Sequence, residues 1–189
     1  RRVLFRSNLL QAFKLDVNKS RYRNWSELIN YCRYSAAPVG HYLLELHGES
    51  PDLRRHTDRL CISLQIINHL QDCKKDLIDL DRVYIPLDWI TKEGADIESL
   101  CGKFLTPEMR RVIFRLLERN RELVEGAYSG LFFIKNYRLR LNSLTILFIA
   151  KYLNHNLRKK DLIANDVKLT SIQKSSAIIA GLFRSTPFF

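Results

Sequence analysis

One segment of the chain carries polar side chains on a single face of a helix: Gln65-Ile66-Ile67-Asn68-His69-Leu70-Gln71-Asp72-Cys73-Lys74-Lys75-Asp76. At about 100° per residue, four of its polar side chains fall within roughly a quarter turn, namely Gln65, Asn68, Asp72 and Asp76. The other faces are almost entirely apolar, which is typical of a buried helix. Because unpaired buried charge is very costly, we expect this polar stripe to face a polar cavity or a partner.

The two carboxylates of the stripe are candidate metal ligands. Asp72 and Asp76 are four residues apart, so a helix places them one turn apart on the same side. Mg²⁺ commonly takes one or two carboxylates and leaves its other positions to water and substrate phosphate. An acidic pair with this spacing also occurs on solvated helices, where the repulsion costs only tenths of a kcal/mol. The spacing alone therefore does not establish a metal site.

Two motifs carry a resemblance to a known family. The pattern Gln-x-x-Asn-x-x-x-Asp-x-x-x-Asp, followed by Arg82-Val83-Tyr84-Ile85-Pro86, resembles the second aspartate-rich motif of squalene/phytoene synthases. The segment Tyr31-Cys32-Arg33-Tyr34-Ser35-Ala36-Ala37-Pro38-Val39-Gly40 is similar to that family's Tyr-Cys helix, which lines a prenyl cavity. The likeness runs from about Leu9 to near the C-terminus. Within the family, both motifs are most similar to bacterial hydroxysqualene synthases of hopanoid biosynthesis.

Helical spacing dominates the whole chain, which predicts an all-α fold. The resemblance implies an isoprenoid-synthase-type helical bundle around a central cavity, formed by one domain over residues 8–189. Asn24, Thr106 and Thr170 are the expected N-caps of three helices. The expected helices cover 9–17, 24–46 with a kink at Pro38 and Gly40, 52–80, 106–136, 138–157 and 170–183. A loop is expected at 81–86 and a short turn at 89–93.

The beginning of the chain departs from the family pattern. Residues 1–7 resemble a translated sequencing adapter and are treated as an artefact or as unstructured. The family carries a first aspartate-rich motif upstream of the Tyr-Cys helix, whereas Asp16 stands alone here. We therefore expect the chain to be the C-terminal part of a longer synthase and to be inactive by itself.

The resemblance assigns roles to the motif residues. Asp72 and Asp76 would hold Mg²⁺ against a diphosphate, although Lys75 replaces the acid that often precedes the last aspartate. Tyr31 would lie beside the reacting carbons, where a phenol can transfer a proton or face a carbocation. Further substrate contacts are implied for residues on three segments: Ser35, Gln65, Asn68, Arg82 and Tyr84.

Each of these assignments has a purely structural alternative. Gln65 and Asn68 fit amides that are satisfied by neighbouring helices. Arg82 fits a surface cation paired with Asp79 or Asp81, and Tyr31 fits a core aromatic residue. His69 lies on the same side of the helix, and a satisfied core histidine is preferred there over a proton acceptor.

The implied activity is Mg²⁺-dependent conversion of presqualene diphosphate and water to hydroxysqualene and diphosphate, a transferase or carbon–oxygen lyase reaction. The alternative is head-to-head condensation of two farnesyl or geranylgeranyl diphosphates to presqualene diphosphate, squalene or phytoene. A non-catalytic helical fragment that is peripheral to a membrane is a third interpretation. No Gly-x-Gly-x-x-Gly fingerprint is present, but family members that use a nicotinamide also lack it, so nicotinamide use stays open.

The composition limits the partners. The net charge of +11 fits a solvated basic surface, a basic mouth for diphosphate, or an anionic membrane face. A nucleic-acid partner is not expected, because the basic residues are spread out and carry no recognised motif. The four cysteines lack Cys-x-x-Cys spacing and are expected to be buried thiols in a reducing compartment.

No segment of the sequence is long and apolar enough to be a membrane span, and no signal peptide is recognised. The expected location is the cytoplasm, either in solution or peripheral to the inner membrane. Apolar residues near the C-terminus leave two interpretations open, contact with a membrane surface or packing on the domain. They are Ile178, Ile179, Leu182, Phe183, Phe188 and Phe189, with Lys174 and Arg184 nearby.

Overall fold

The computed structural model describes the backbone of residues 2–186 and the side chains of this range other than 2–6, 8 and 9. Its α-helices are α1 (Arg2–Asn18), α2 (Trp25–Ser35), α3 (Ala37–Leu46), α4 (Arg54–Gln71), α5 (Cys73–Leu80), α6 (Leu87–Glu93), α7 (Pro107–Leu131), α8 (Tyr137–Lys159) and α9 (Ser171–Ser185). Short 3₁₀ turns occupy Pro51–Leu53 and Ile97–Cys101. Within the described range, extended pairing is limited to an isolated bridge between Arg21 and Val83. The predicted all-α class is confirmed.

Helix α4 lies at the centre of the fold and contacts α2, α3, α7 and α8. Its Ile66, Ile67 and Leu70 are fully buried and belong to one continuous apolar core with α7 and α8. Burying side chains of this size removes them from water at a gain of about 1.5–3 kcal/mol each. The helix that carries Gln65, Asn68 and His69 is therefore held on most sides by the core.

The predicted N-caps are confirmed by their hydrogen bonds. The Asn24 Oδ1 atom accepts from the Glu27 amide at 3.0 Å, and the Thr106 hydroxyl accepts from the Met109 amide at 3.2 Å. Thr170 and Gln173 form a complete capping box at the start of α9. Such caps depend on residues within one turn of each other, which is why the sequence reveals them.

Several predicted boundaries differ from the structure. The segment 52–80 forms two helices, α4 and α5, that meet at Asp72, where φ is −99° and ψ is 3°. The ends are held by different neighbours, since Gln71 donates to the Val167 carbonyl at 2.6 Å and Lys74 to the Gly102 carbonyl at 2.7 Å. The bend follows from these separate attachments.

Helix α7 ends at Leu131, earlier than the predicted 136. The buried carboxylate of Glu49 accepts from the amides of Lys135 and Asn136 at 2.9 and 2.6 Å and holds the chain in a turn. Asn136 instead caps α8. The expected kink in 24–46 is confirmed as a break at Ala36, between α2 and α3.

Two shorter segments also differ from expectation. Residues 87–93 form the two-turn helix α6 where a short turn was predicted. Helix α1 begins at Arg2 and takes in most of the segment 1–7, whose artificial origin stays a prediction. Phe188 and Phe189 lie outside the described residues.

Candidate active site

Four aromatic rings from different parts of the chain gather beside α4. Tyr22 precedes α2, Tyr31 lies on α2, His69 on α4, and Tyr84 follows α5. The three tyrosine rings lie 5.2–5.6 Å apart between centroids. His69 stacks on Tyr84 at 3.5 Å and lies 5.9 Å from Tyr31. We call these four residues the aromatic cluster.

A carboxylate and a guanidinium hold the polar edge of the aromatic cluster. The Tyr31 hydroxyl donates to Asp16 Oδ1 at 2.8 Å, and Arg82 Nη2 donates to the Asp16 backbone carbonyl at 2.7 Å. The Tyr84 hydroxyl is hydrogen-bonded to both Tyr31 and Arg82. Asp16 was not among the predicted site residues, and its position depends on how α1 packs, for which the sequence carries no local signal.

The tyrosines of the cluster remain protonated. Burial is the main cause that raises the pKa of Tyr22, Tyr31 and Tyr84, and for Tyr31 the hydrogen bond to Asp16 adds to it. A phenol in this environment acts as a hydrogen-bond donor and offers its ring face, but it does not lose its proton at physiological pH. The hydroxyl of Tyr22 is buried and has no hydrogen-bond partner among the described residues.

His69 is a neutral base within the cluster. Burial, followed by the charge of Arg82, lowers its pKa to about 3. Its Nε2 atom lies 3.1 Å from the Gln65 side-chain nitrogen, and its Nδ1 atom lies 4.0 Å from Asp76 Oδ2. The distance to Asp76 would allow an ion pair, but burial keeps the imidazole uncharged, so the contact is that of a dipole with a carboxylate. Since the assigned Gln65 amide can only donate, the ring proton lies on Nδ1, towards Asp76.

Asp76 is partly buried next to this histidine. Burial and then the charge of Asp72 raise the pKa of its carboxyl group. Asp72 is exposed and lines an open groove of about 510 Å³ that it shares with Lys75, Asp79 and residues 162–166. The charges of Asp72 and Asp76 therefore interact. Asp76 adjoins the aromatic cluster, whereas Asp72 faces the open groove. No three His, Cys, Asp or Glu side chains in the described part of the chain come together as a metal-holding group.

The structure brings together five of the eight predicted site residues: Tyr31, Gln65, Asp76, Arg82 and Tyr84. The other three lie apart from this network. Asn68 and Asp72 are exposed, and Asp72 lines the open groove, so the expectation that the polar stripe faces a polar cavity or a partner stays a prediction for these two residues. The Ser35 hydroxyl is 3.5 Å from the Cys32 carbonyl of its own helix.

Arg82 is not the surface cation of the structural alternative. Its guanidinium turns inward to Asp16, while Asp81 is bound by Arg21. Asp81 itself adopts the left-handed conformation, with φ of 49°, at the end of α5. This turn directs the following residues back towards the cluster, as the hydrogen bond from the Arg82 amide to the Asp76 carbonyl at 3.0 Å indicates.

The cysteines do not contribute a nucleophile to the site. All four are free thiols. Burial raises the pKa of Cys61 to about 11 and that of Cys73 to about 12, and it raises the pKa of Cys32 still further. Thiols of this kind are inert at neutral pH. Cys101 is exposed, so the expectation of buried thiols is wrong at that position.

The family profile of squalene/phytoene synthase matches residues 5–173 of the chain. Hydroxysqualene synthases of Sinorhizobium fredii (strain NBRC 101917 / NGR234) and Rhodopseudomonas palustris (strain ATCC BAA-98 / CGA009) are each 40% identical over 166 residues. Each alignment covers 88% of this chain and 57% of the relative. A phytoene synthase of Thermus thermophilus is 29% identical over 128 residues, which are 68% of this chain and 44% of that protein.

Solved structures agree with the sequence comparison. The squalene synthase HpnC from Alicyclobacillus acidocaldarius aligns with a TM-score of 0.66 at 29% identity, over 79% of this chain and 59% of its own. A dehydrosqualene synthase crystallised with a ligand aligns with a TM-score of 0.84 at 21% identity, over 93% of this chain and 62% of its own, which supports the fold alone. The isoprenoid-synthase helical fold expected from the sequence is thereby confirmed.

The chain spans 57% of the length of the two hydroxysqualene synthases, so the activity of a whole protein does not follow from these matches alone. Membership of the family, in contrast, does follow from these matches. The profile matches most of the chain, and the resemblance inferred from the two motifs is confirmed by relatives that share 40% of the aligned residues. The chain belongs to the squalene/phytoene synthase family.

Proposed function

We propose that the protein to which this chain belongs is a Mg²⁺-dependent synthase that acts on a prenyl diphosphate, with presqualene diphosphate as its substrate. The observation that carries this proposal is the arrangement of Asp76, neutral His69 and Arg82 around the three tyrosines of the aromatic cluster. In this arrangement a carboxylate and a guanidinium, which suit a metal-bound diphosphate, lie beside aromatic rings, which suit a carbocation. Similarity to hydroxysqualene synthases at 40% identity supports the choice of substrate.

The acidic residues fit Mg²⁺ in the mode that leaves most positions to water and phosphate. That mode needs only one or two carboxylates, and Asp72 and Asp76 supply two. The charge of Asp72 already raises the pKa of Asp76, and a shared cation would relieve this repulsion. Bound Mg²⁺ would neutralise the charge that builds up on departing diphosphate. We assign Asp72 and Asp76 as its ligands from this chain.

The remaining residues of the site would bind and orient the substrate. Arg82 is hydrogen-bonded to the Asp16 carbonyl and to the Tyr84 hydroxyl, so its remaining donors can contact a diphosphate oxygen. The C–O bond of presqualene diphosphate would break with its electron pair leaving on diphosphate. Tyr31 would present its electron-rich ring face to the resulting cation, an interaction that gains about 2 kcal/mol or more when it is desolvated, while Tyr84 is stacked on His69 and Tyr22.

The protonation state of His69 suits the same chemistry. A charged imidazolium 5.9 Å from Tyr31 would repel a neighbouring carbocation, whereas the neutral ring adds no charge. Water would then add to the cation through its oxygen and lose a proton, which gives hydroxysqualene. The proposal includes no nicotinamide, because this outcome transfers no hydride.

Head-to-head condensation of two prenyl diphosphates is the competing assignment, and similarity to a phytoene synthase at 29% identity favours it to a lesser degree. The product of the full-length gene distinguishes the two reactions. Presqualene diphosphate should be consumed to give hydroxysqualene, and farnesyl diphosphate supplied alone should give no product. Formation of presqualene diphosphate, squalene or phytoene from prenyl diphosphates alone would support condensation.

We expect Asp76→Asn to weaken binding of the non-hydrolysable analogue farnesyl S-thiolodiphosphate by about tenfold or more, a loss of about 1.4 kcal/mol. The reason is that the substitution removes one of the two carboxylates assigned to Mg²⁺. Titration calorimetry of the full-length protein with the analogue, with and without Mg²⁺, measures the effect. The wild-type protein should bind the analogue only when Mg²⁺ is present.

Asp79→Asn is the matched control, because it makes the same charge change on α5 at an exposed position. It should retain binding within about twofold. If both variants lose affinity equally, binding reflects the general charge of α5. If the full-length wild-type protein binds the analogue equally without Mg²⁺, or not at all, the assignment of these carboxylates to the metal is wrong.

A further inference from the structure

The helices α8 and α9 form a part of the molecule that carries basic but no acidic side chains. No Asp or Glu lies between Glu125 and Asp161 or after Asp166. Six exposed basic residues of this region have no carboxylate within ion-pairing distance among the described side chains: Lys135, Arg138, Lys159, Lys160, Lys174 and Arg184. Elsewhere on the surface, arginines such as Arg121 are paired with neighbouring carboxylates. The positive charge of these residues is therefore not compensated by ion pairs, whereas Arg158 of α8 is paired with Glu118.

The same region exposes large apolar side chains. Phe183 is 75% exposed, Phe133 is 72% exposed and Ile172 is 79% exposed. The others that accompany them are Tyr137, Ile178, Ile179 and Leu182. Single exposed apolar residues are common on protein surfaces, but a group of them marks an interaction site.

Helix α9 has its small residues inside and its large apolar residues outside. Ala177, Gly181 and Ser185 are buried against α8. A Cβ atom at Gly181 would lie 2.2 Å from the Thr145 hydroxyl, so the two helices are in close contact along this face. Helix α9 thus packs on α8 through its small residues, while Phe183 and its apolar neighbours are exposed among the described residues.

Hydrogen bonds join the exposed parts into one rigid surface. The Arg140 guanidinium donates to the Ile134 carbonyl at 2.8 Å and to the Ser185 carbonyl at 2.9 Å. It thereby ties the turn before α8 to the end of α9. At the opposite end, Asn156 and Gln173 exchange two hydrogen bonds of 2.9 Å. Phe133 and Lys135 on the turn, Tyr137 and Arg138 at the start of α8, and Phe183 and Arg184 on α9 belong to this surface, which we call the α8–α9 face.

We propose that the α8–α9 face docks the protein on an anionic lipid bilayer, with its aromatic and aliphatic side chains at the headgroup boundary and its basic side chains on anionic headgroups. This combination of apolar and uncompensated basic residues is what an interfacial element requires. No described helix combines the length and apolarity that crossing a bilayer demands.

A second copy of the chain fits the α8–α9 face less well than a bilayer does. In a two-fold symmetric dimer the same patch meets itself, so Lys135, Arg138 and Arg184 would face identical basic residues. No carboxylate of residues 126–160 or 167–186 would offset this repulsion, and the Glu49 carboxylate nearby is buried and bound to backbone amides. Anionic headgroups supply the missing negative charge.

Co-sedimentation of the chain with vesicles tests the proposal. The chain should bind vesicles of equal parts phosphatidylglycerol and phosphatidylcholine at least tenfold more tightly than pure phosphatidylcholine vesicles, and the difference should shrink as salt is raised. The double variants Phe133→Ser/Phe183→Ser and Arg138→Glu/Arg184→Glu should each bind the anionic vesicles at least tenfold more weakly. Ile172→Ser is an additional test, because the Ile172 side chain is largely exposed and its replacement should not disturb packing. This variant should bind the anionic vesicles about threefold more weakly.

Matched controls lie on another face. The control variants are Phe104→Ser and Lys92→Glu, and both should bind the vesicles as the wild type does. Phe104 is 67% exposed, and Lys92 is also exposed. Absence of binding to anionic vesicles, or equal losses in the control variants, would overturn the proposal. So would a dimer, seen by light scattering, that Phe183→Ser separates. Asp76→Asn should leave vesicle binding unchanged, so this result is independent of the proposed diphosphate chemistry.

Discussion

Gly130→Ala is expected to lower the free energy of unfolding by about 3 kcal/mol, which is the upper part of the usual range for overpacking a core. A Cβ atom at this position of α7 would lie 2.2 Å from two carbons of the His56 imidazole. His56 is buried on α4, and its Nδ1 atom is 3.0 Å from the Gly126 carbonyl. The ring cannot move away without losing that contact. Urea denaturation measures the change.

Gly126→Ala is the matched control on the same helix. Its added Cβ would lie 2.7 Å from the Arg59 guanidinium, the far end of a flexible and exposed side chain that can swing away and loses only a solvent-exposed hydrogen bond to the Gly126 carbonyl. Alanine also favours helix over glycine by up to about 1 kcal/mol, so this variant should be neutral or slightly more stable. The double variant His56→Ala/Gly130→Ala should recover part of the loss relative to the sum of the single variants. Equal destabilisation by Gly126→Ala and Gly130→Ala would contradict the steric explanation.

This close contact matters for the candidate site, because it fixes α4 against α7. Helix α4 carries Gln65 and His69 on the side that meets the aromatic cluster. The sequence gives no indication of the contact, since glycine within a helix has several uses and only the packed structure shows which neighbour needs the space. Gly130 was therefore absent from the sequence-based expectations.

Local signals made much of the fold predictable. Asn24, Thr106 and Thr170 cap helices through hydrogen bonds to residues three positions later. These interactions are encoded within one helical turn, and the predicted starts were confirmed. The end of α7 was wrong because it depends on Glu49, which lies far away in the sequence and becomes a neighbour only in the folded chain.

The candidate site was also predictable where local spacing determines it and not where distant neighbours do. The spacing of Gln65 and Asp76 and the sequel Arg82-x-Tyr84 indicated which side chains lie together, and the structure groups them with Tyr31. Their roles in binding or reaction stay predictions. Helical periodicity gives the angle between side chains but not what lies opposite them.

For that reason the exposure of Asn68 and Asp72 and the participation of Asp16 were not foreseen. The bend between α4 and α5 is likewise set by contacts of Gln71 and Lys74 with distant backbone carbonyls. A pattern that assumes one straight helix cannot represent these attachments.

The second large effect that we expect is a loss of unfolding free energy at acidic pH. Because burial lowers the pKa of His69 to about 3, compared with an ordinary value of 6.5, the folded chain holds this imidazole uncharged. The unfolded chain binds the proton more readily, so stability is fully present above about pH 6.5 and is lost as the pH falls from there towards the folded pKa. At about 1.4 kcal/mol per pH unit, His69 alone should remove about 2 kcal/mol of unfolding free energy by pH 5.

Urea denaturation between about pH 7.5 and pH 5 measures this loss. His69→Gln replaces the imidazole by an amide that does not titrate, so the variant should lose about 2 kcal/mol less than the wild type over the same interval. His155→Gln is the control at an exposed histidine and should keep the wild-type pH dependence. If His69→Gln and the wild type lose stability in parallel, His69 is not held neutral by burial.

Asp76 contributes with the opposite sign and does not produce this loss. Its pKa is raised in the folded chain by burial and by the charge of Asp72, so protonation of its carboxyl group is easier in the folded than in the unfolded state. Falling pH therefore adds stability through Asp76. Its titration is shared by the wild type and His69→Gln, so the difference between their pH profiles isolates the histidine. A difference near 2 kcal/mol at pH 5 would establish that the ring beside Tyr31 and Tyr84 is uncharged, as a site that shelters a carbocation requires.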